Sequence, residues 1–105
     1  MRLRARVDTP QREIVAALRQ YGCSVQHLHQ VGRGCPDLLV GFRGANYLLE
    51  VKPPGSPSRR RLTPDEAPWH SAWRGQVAVV QTIEEALAII ATDAQEDTER
   101  GQRDQ

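Results

Sequence analysis

The stretch CPDLLVGFRGANYLLEVK, residues 35–52, constrains the fold of this chain more than any other part of the sequence. Two apolar runs flank the dipeptide RG, and a two-residue loop that ends in glycine commonly joins the strands of a β-hairpin. The apolar runs are nearly continuous, which indicates strands that are covered on both faces. Asp37, Glu50 and Lys52 nevertheless lie at the ends of these runs. Charged groups are rarely found among buried strands unless they are paired or bind an ion.

A hairpin register centred on the RG loop places the three charged residues on one face of the sheet. In that register Val40 lies opposite Tyr47, and Asp37 lies opposite Glu50. Side chains alternate between the faces of a strand, so Asp37, Glu50 and Lys52 share a face. Directly opposed residues have Cβ atoms about 5 Å apart. Two carboxylates at that distance should not both ionise without a cation between them.

Two interpretations of this charged face are open. The simpler one is an ordinary ion pair of Lys52 with Asp37 or Glu50 on a solvent-facing edge of the sheet. In the other, the two carboxylates hold Mg²⁺, which prefers oxygen ligands and often joins one or two carboxylates to a substrate phosphate. A nearby lysine can stabilise charge on a phosphate in the transition state. We favour this second interpretation, because all three charges stand at the ends of apolar strands.

The rest of the chain alternates helix and strand signals in the order α-β-β-β-α-β-α. Thr9 and Pro10 open the first helix, and a capping box from Thr63 to Glu66 opens the second. The predicted elements are a helix over about 10–21, a strand over 23–30, hairpin strands over 36–42 and 45–52, a helix over 63–75, a strand over 76–80 and a helix over about 82–91. This order predicts an α/β domain with a mixed sheet flanked by helices.

Composition divides the chain into three parts. Its 105 residues suffice for one domain. We assign residues 9–92 to that domain, 1–8 to a basic arm or short edge strand, and 93–105 to an acidic tail that we expect to be disordered. No apolar run is long enough to span a membrane, and the N-terminus lacks a signal peptide, so we expect a cytoplasmic protein with no membrane partner. In that compartment Cys23 and Cys35 should be reduced thiols.

Two segments of the chain resemble a known nuclease family. Pro36-Asp37 followed by Glu50-Val51-Lys52 matches the PD-(D/E)XK nuclease signature. More narrowly, GRGCPDLLVGFRGANYLLEVK together with RLTPDEAPWHSAWRGQVAVVQTIEEAL resembles the virus-type replication–repair nuclease (VRR-NUC) family over about residues 9–91. The resemblance implies a restriction-endonuclease-like αβββαβ core, here followed by a C-terminal helix. It also implies an endonuclease that uses Mg²⁺ or Mn²⁺. Small stand-alone members resemble Holliday-junction resolvases, which implies branched DNA as the substrate and a homodimer.

The same resemblance assigns roles to individual residues. Asp37 and Glu50 would be metal ligands, together with the backbone carbonyl of Val51, and Lys52 would be the catalytic lysine. A glutamate on the first helix often completes such sites, and Glu13 is the candidate there.

Glu66 departs from the family pattern, which usually has glutamine at this position. It can serve as the carboxylate of the capping box, or it can lie beside the metal as an accessory group. We expect these roles to compete, because one carboxylate cannot easily fulfil both.

Arginines near the charged face are candidates for contact with DNA phosphate. Arg33 precedes Pro36-Asp37, and the run Arg59-Arg60-Arg61 follows Lys52. The simpler interpretation of such a run is a solvated surface. His70, on the second helix, is a minor candidate for a general base, since Lys52 already fills the catalytic role. Two rival functions stay open: a DNA-binding module without catalysis, and a protein-interaction component that uses the acidic tail.

Overall fold

A computed structural model describes residues 9–92 of the chain, so the predicted arm and tail lie outside the described residues. The elements are α1 (Thr9–Tyr21), β1 (Ser24–His27), β2 (Leu38–Phe42), β3 (Ala45–Val51), a 3₁₀ helix (Pro57–Arg60), α2 (Glu66–Ala72), β4 (Val77–Val80) and α3 (83–92). This is the predicted order of elements, with one added 3₁₀ turn in the proline-rich loop.

The four strands form one mixed sheet in the order β1-β2-β3-β4. Both β1–β2 and β2–β3 are antiparallel, whereas β3 and β4 are parallel. Parallel neighbours need a crossover connection, and here α2 lies within it. The prediction of a mixed sheet flanked by helices is therefore confirmed.

The β2–β3 hairpin has the predicted loop and register. Arg43 and Gly44 have φ angles of 52° and 83°. Two consecutive positive φ values are typical of a type I′ turn, whose twist matches that of paired strands. Val40 pairs with Tyr47, as the sequence predicts. One residue beyond the last pair, the same register sets Asp37 against Glu50.

The end of α1 follows from the glycine that the sequence places there. Gly22 has a φ of 113°, a conformation that side-chain-bearing residues rarely adopt. Its N–H donates to the carbonyl of Arg19 at 3.1 Å, and the N–H of Cys23 donates to the carbonyl of Leu18 at 3.0 Å. These two bonds are the Schellman motif, which satisfies carbonyls left unpaired at a helix end. The predicted boundary at Gly22 is thus confirmed.

The main core lies on one face of the sheet. Side chains of α1 and α3 pack there against alternate residues of the strands; the fully or nearly fully buried members include Ile14, Leu18, Leu38, Val40, Leu49, Val80, Ala86 and Ile90. Each large aliphatic side chain buried in this way contributes about 1.5–3 kcal/mol. Glu50 belongs to the opposite face, since it neighbours Leu49 in β3. This second face is the one that α2 approaches.

Three element ends lie three residues from their predicted positions. α2 begins at Glu66 rather than at residue 63. β1 ends at His27 rather than residue 30, because the chain turns after Leu28, whose carbonyl accepts from the N–H of Val31 at 2.9 Å. α2 ends at Ala72 rather than Gly75, because Trp73 has an extended backbone with ψ 130°. None of these differences moves the hairpin that carries the charged residues.

Two further expectations concern cysteines and membranes. Both cysteines are free thiols, as predicted: Cys23 is buried and Cys35 is partly buried. Within residues 9–92, no helix has the length and apolar character needed to cross a bilayer.

Candidate active site

The candidate site begins where the β2–β3 ladder ends. Leu38 and Leu49 form the last backbone pair of the hairpin. Beyond this pair, a side chain replaces the backbone as the hydrogen-bond acceptor: Oδ2 of Asp37 accepts from the N–H of Val51 at 2.8 Å. This bond holds the carboxylate of Asp37 against the end of β3, next to Glu50.

Lys52 and two glutamates complete a charged cluster at this point. The Nζ of Lys52 lies 2.6 Å from Oε1 of Glu66 and 3.8 Å from Oε2 of Glu50. Only 12% of the Lys52 side chain and 5% of the Glu50 side chain are exposed. The predicted grouping of Asp37, Glu50 and Lys52 is present in the structure, whereas their catalytic roles stay predictions.

The buried carboxylates strongly perturb one another. Burial, followed by the charges of Asp37 and Glu66, raises the pKa of Glu50 to about 9. Burial also raises the pKa of Asp37, against the lowering effect of the hydrogen bond from Val51. Glu50 therefore keeps a proton near neutral pH when no cation is bound. A divalent cation would favour the ionised form of both groups.

Glu66 caps the start of α2 and also contacts Lys52. Its Oε1 accepts from the backbone N–H of Thr63 at 2.9 Å, and the Glu66 N–H donates to Oγ1 of Thr63 at 3.2 Å. These reciprocal bonds are the predicted capping box. The same Oε1 also accepts from Lys52. Burial alone would raise the pKa of Glu66, but the bonds from Lys52 and Thr63 outweigh it and lower the pKa. One oxygen can accept two donors that approach from different sides, so capping the helix does not keep Glu66 from Lys52. The role of Glu66 beside a metal stays a prediction.

A glycine-rich loop brings the start of α2 next to Asp37. Gly34 has a φ of 85°, and a Cβ placed on it would overlap the carbonyl of Asp65, 2.8 Å from its carbon atom. Only glycine therefore permits this approach. The loop that leads into Asp37 consequently packs against the turn that carries Glu66, so two distant segments meet at one site.

Glu13 is not part of the described cluster. It is exposed on α1 and lines a separate depression with Pro54 and Gln81. Within residues 9–92, the groups that shift the pKa values of Asp37 and Glu50 do not include Glu13. Its possible role as a metal ligand stays a prediction.

The four candidate DNA-binding arginines have different surroundings. Arg33 and Arg61 are exposed. Arg59 is exposed and donates to the carbonyl of Pro54 at 3.2 Å. Arg60 instead makes three bonds within the protein; its acceptors are Oε1 of Gln81 at 2.7 Å, Oε2 of Glu85 at 2.8 Å and the carbonyl of Val79 at 2.7 Å. Arg60 thus ties the loop after Lys52 to β4 and α3.

His70 lies next to Glu50, although the sequence made it only a minor candidate. Its Nε2 lies 3.8 Å from Oε1 of Glu50, and only 9% of the His70 side chain is exposed. Both atoms are buried and have no hydrogen-bond partner. Burial lowers the pKa of His70, which favours the neutral ring. One sequence signal pointed this way: His70 follows Glu66 by four residues and so shares its helix face.

The donor set can accommodate a divalent cation. Among residues 9–92, no three His, Cys, Asp or Glu side chains form a ready-made metal centre. Mg²⁺, however, is commonly bound by one or two carboxylates, with water and substrate phosphate supplying its other ligands. Asp37 and Glu50 provide two adjacent carboxylates, and Oε1 of Glu50 lacks a partner. Two adjacent buried acids that repel each other fit a cation site, whereas the unsatisfied Oε1 faces His70.

Comparison with known proteins identifies a structural relative. A solved structure described as a VRR_NUC domain matches with a TM-score of 0.61 and 26% sequence identity. The match covers 80% of this chain and 97% of the other. No protein-family model and no curated protein matches the sequence. The likeness thus extends over nearly the whole relative and is accompanied by shared sequence.

Proposed function

We propose that this chain, a VRR-NUC domain in fold and a nuclease domain in kind, is a divalent-metal-dependent endonuclease that cleaves branched DNA of the Holliday-junction type. The observation that carries the proposal is the buried cluster of Asp37, Glu50 and Lys52 at the end of the β2–β3 hairpin. Such a cluster is costly to bury without a bound cation or substrate. The likeness of the chain to a VRR_NUC domain supports the same class of reaction, nuclease cleavage.

Asp37, Glu50 and the carbonyl of Val51 would hold Mg²⁺ or Mn²⁺. A divalent cation supplies concentrated positive charge, which polarises a phosphate and lowers the pKa of water. The contribution of the protein is to keep the oxygen donors together. The hydrogen bond from Val51 orients Asp37, and the paired strands set Glu50 beside it.

Lys52 would stabilise negative charge on the phosphate. Hydrolysis adds water across the P–O3′ bond: the water oxygen bonds to phosphorus, the bond to the 3′ oxygen breaks, and a proton ends on that oxygen. The products carry a 5′-phosphate and a 3′-hydroxyl. An ammonium group in a partly buried site stabilises the extra charge of the transition state more strongly than it would in water. Glu66 positions the ammonium through its 2.6 Å contact.

Exposed arginines next to the site would bind the DNA backbone. Arg33, Arg59 and Arg61 present guanidinium groups that can contact phosphate in two places at once. Arg60 is the weakest of the four candidates, because its guanidinium already has three acceptors within the protein. A homodimer would offer two sites related by two-fold symmetry, which matches the paired strands of a four-way junction.

The direct test is cleavage of linear duplex, flap and four-way-junction DNA in the presence of Mg²⁺ or Mn²⁺. We expect junction cleavage that is abolished by chelator and lost by at least about a hundredfold in Asp37→Ala and Lys52→Ala, because each change removes a preorganised charge. Glu84→Ala is the matched control, since Glu84 is an exposed acid on α3. It should cleave like the natural protein.

The outcomes separate this function from its rivals. Junction binding without turnover in any metal would favour a DNA-binding module. Full activity in both Asp37→Ala and Lys52→Ala would remove the proposed site. A monomer mass by light scattering, with and without junction DNA, would remove the dimer.

A further inference from the structure

His70 and Glu50 lie close to each other, but no hydrogen bond joins them. Nε2 of His70 and Oε1 of Glu50 are 3.8 Å apart, and each is buried without a hydrogen-bond partner. A hydrogen bond from a ring N–H to oxygen spans about 2.7–3.2 Å, so the pair is too far apart to be bonded. Each unsatisfied atom destabilises the folded protein, because it has lost its hydrogen bonds to water without replacement. Because buried polar atoms in folded proteins almost always have a partner, these two atoms call for an explanation.

The two oxygens of Glu50 have different neighbours. Oε2 faces Lys52 at 3.8 Å, whereas Oε1 faces His70. Because Oε1 and Nε2 are both closed off from solvent, they are poorly placed to receive a hydrated ion directly. A cation that reaches Glu50 would do so from the side where Asp37 and Lys52 lie.

We propose that His70 is a positioning residue for Glu50, and that its Nε2–H donates to Oε1 when the carboxylate binds a divalent cation. The inference rests on the proposed metal-dependent function. A ligating carboxylate is usually held by an outer hydrogen bond that fixes its orientation and favours its ionised form. Closing the 3.8 Å gap needs a side-chain shift of under about 1 Å to reach bonding distance. Binding of the cation would thereby satisfy both unpaired atoms at once.

Metal affinity measured without DNA tests this role. Mn²⁺ and Mg²⁺ are titrated into the full chain by calorimetry, for the natural protein, His70→Leu, His70→Gln and the control His29→Gln. His70→Leu has no donor and should bind Mn²⁺ about tenfold to a hundredfold more weakly, the usual effect of losing an outer partner. His70→Gln keeps an N–H donor and should recover most of the affinity. His29 is exposed, so His29→Gln should bind like the natural protein.

Thermal unfolding in chelator provides a second measurement with an opposite sign. His70→Leu removes an unsatisfied buried polar atom and should have a Tm equal to or above that of the natural protein. A residue needed only for packing would instead lower the Tm and leave the metal affinity of the folded protein unchanged. That result would overturn the inference. If His70→Leu does not fold, His70→Gln decides. A loss of metal affinity of about tenfold or more in His70→Gln, with no change in His29→Gln, would show that a donor at this position is not what matters and would overturn the inference.

The binding mode has its own signature. Electron paramagnetic resonance of bound Mn²⁺ with strong nitrogen coupling that is lost in His70→Gln would make His70 a direct ligand and overturn the positioning role. Metal binding that is independent of His70 also overturns it and leaves the proposed nuclease function intact. His70-dependent metal binding without DNA cleavage would support the inference and count against the nuclease. Absence of metal binding in the natural protein would overturn both.

Discussion

Glu66 offers the sharpest test of how this site is built, because one oxygen serves both a helix start and the catalytic cluster. Oε1 caps the N–H of Thr63 at 2.9 Å and accepts from Nζ of Lys52 at 2.6 Å. Three substitutions separate these bonds. Thr63→Ala removes the other half of the capping box, Glu66→Gln keeps an oxygen acceptor without charge, and Glu66→Ala removes both bonds.

The structure sets the size of each effect. Thr63→Ala should lower the free energy of unfolding by about 1 kcal/mol, the usual cost of losing a cap. Glu66→Ala should lower it by about 2–4 kcal/mol, since it adds about 1–3 kcal/mol for leaving the partly buried ammonium of Lys52 without its closest acceptor. Glu66→Gln should change it by less than about 1 kcal/mol. The amide oxygen can still accept from both donors, and the lost attraction to Lys52 is offset by relief of repulsion with Asp37.

Urea unfolding followed by circular dichroism measures these differences, and junction cleavage measures the effect on the site. We expect Glu66→Gln to retain activity within about tenfold and Thr63→Ala to retain it nearly fully, because both leave Lys52 an acceptor. A loss of stability in Glu66→Gln as large as that in Glu66→Ala would refute the shared-acceptor reasoning. So would a Glu66→Ala variant no less stable than Thr63→Ala, since Glu66 would then be only a cap.

Three further predictions concern the surroundings of the site. In chelator, the free energy of unfolding should fall by up to about 1.4 kcal/mol per pH unit from about pH 7 to about pH 8.5. The reason is that Glu50, whose pKa is about 9 in the folded protein against an ordinary 4.5, keeps a proton that the unfolded chain has lost. Glu50→Gln should abolish this slope, and a flat profile in the natural protein would contradict the raised pKa. In urea unfolding, Gly34→Ala should lower the free energy of unfolding by at least about 2 kcal/mol more than Gly32→Ala. Both glycines have positive φ, but only at Gly34 would an added Cβ meet backbone atoms within 4 Å. Equal losses would mean that the close approach at Gly34 is unimportant. Arg60→Ala should lower the free energy of unfolding by about 1 kcal/mol in the same assay, and Arg59→Ala by less than about 0.5 kcal/mol. Arg60 has three acceptors within the protein and Arg59 has one, and the effect of Arg60 stays small because 37% of its side chain is exposed. Equal stabilities of the two variants would argue against the role of Arg60 as a loop anchor.

Local pattern sufficed to predict the hairpin and the faces of its strands. A period of two and an RG loop place Asp37, Glu50 and Lys52 on one side, and the structure has that register. The end of α1 at Gly22 could also be predicted, because a glycine that follows an apolar helical stripe commonly ends the helix. These features depend on residues that are neighbours in sequence or across one tight turn.

Contacts between distant segments could not be deduced in the same way. The sequence alone left Glu66 between two roles and gave His70 only a minor one. The structure brings His70 to within 3.8 Å of Glu50 and lets Glu66 serve both Thr63 and Lys52. Their placement depends on where α2 crosses the sheet.

The sequence by itself thus determined the order of elements, the hairpin register and the three charges that share its face, because all of these follow from periodicity and turn chemistry. Tertiary structure alone decided which groups surround those charges. Gly34 allows the loop before Asp37 to approach the backbone of Asp65, and this approach sets α2 over the site. The physical reason is that side-chain neighbours across a sheet face depend on how helices pack against it, which no local pattern encodes.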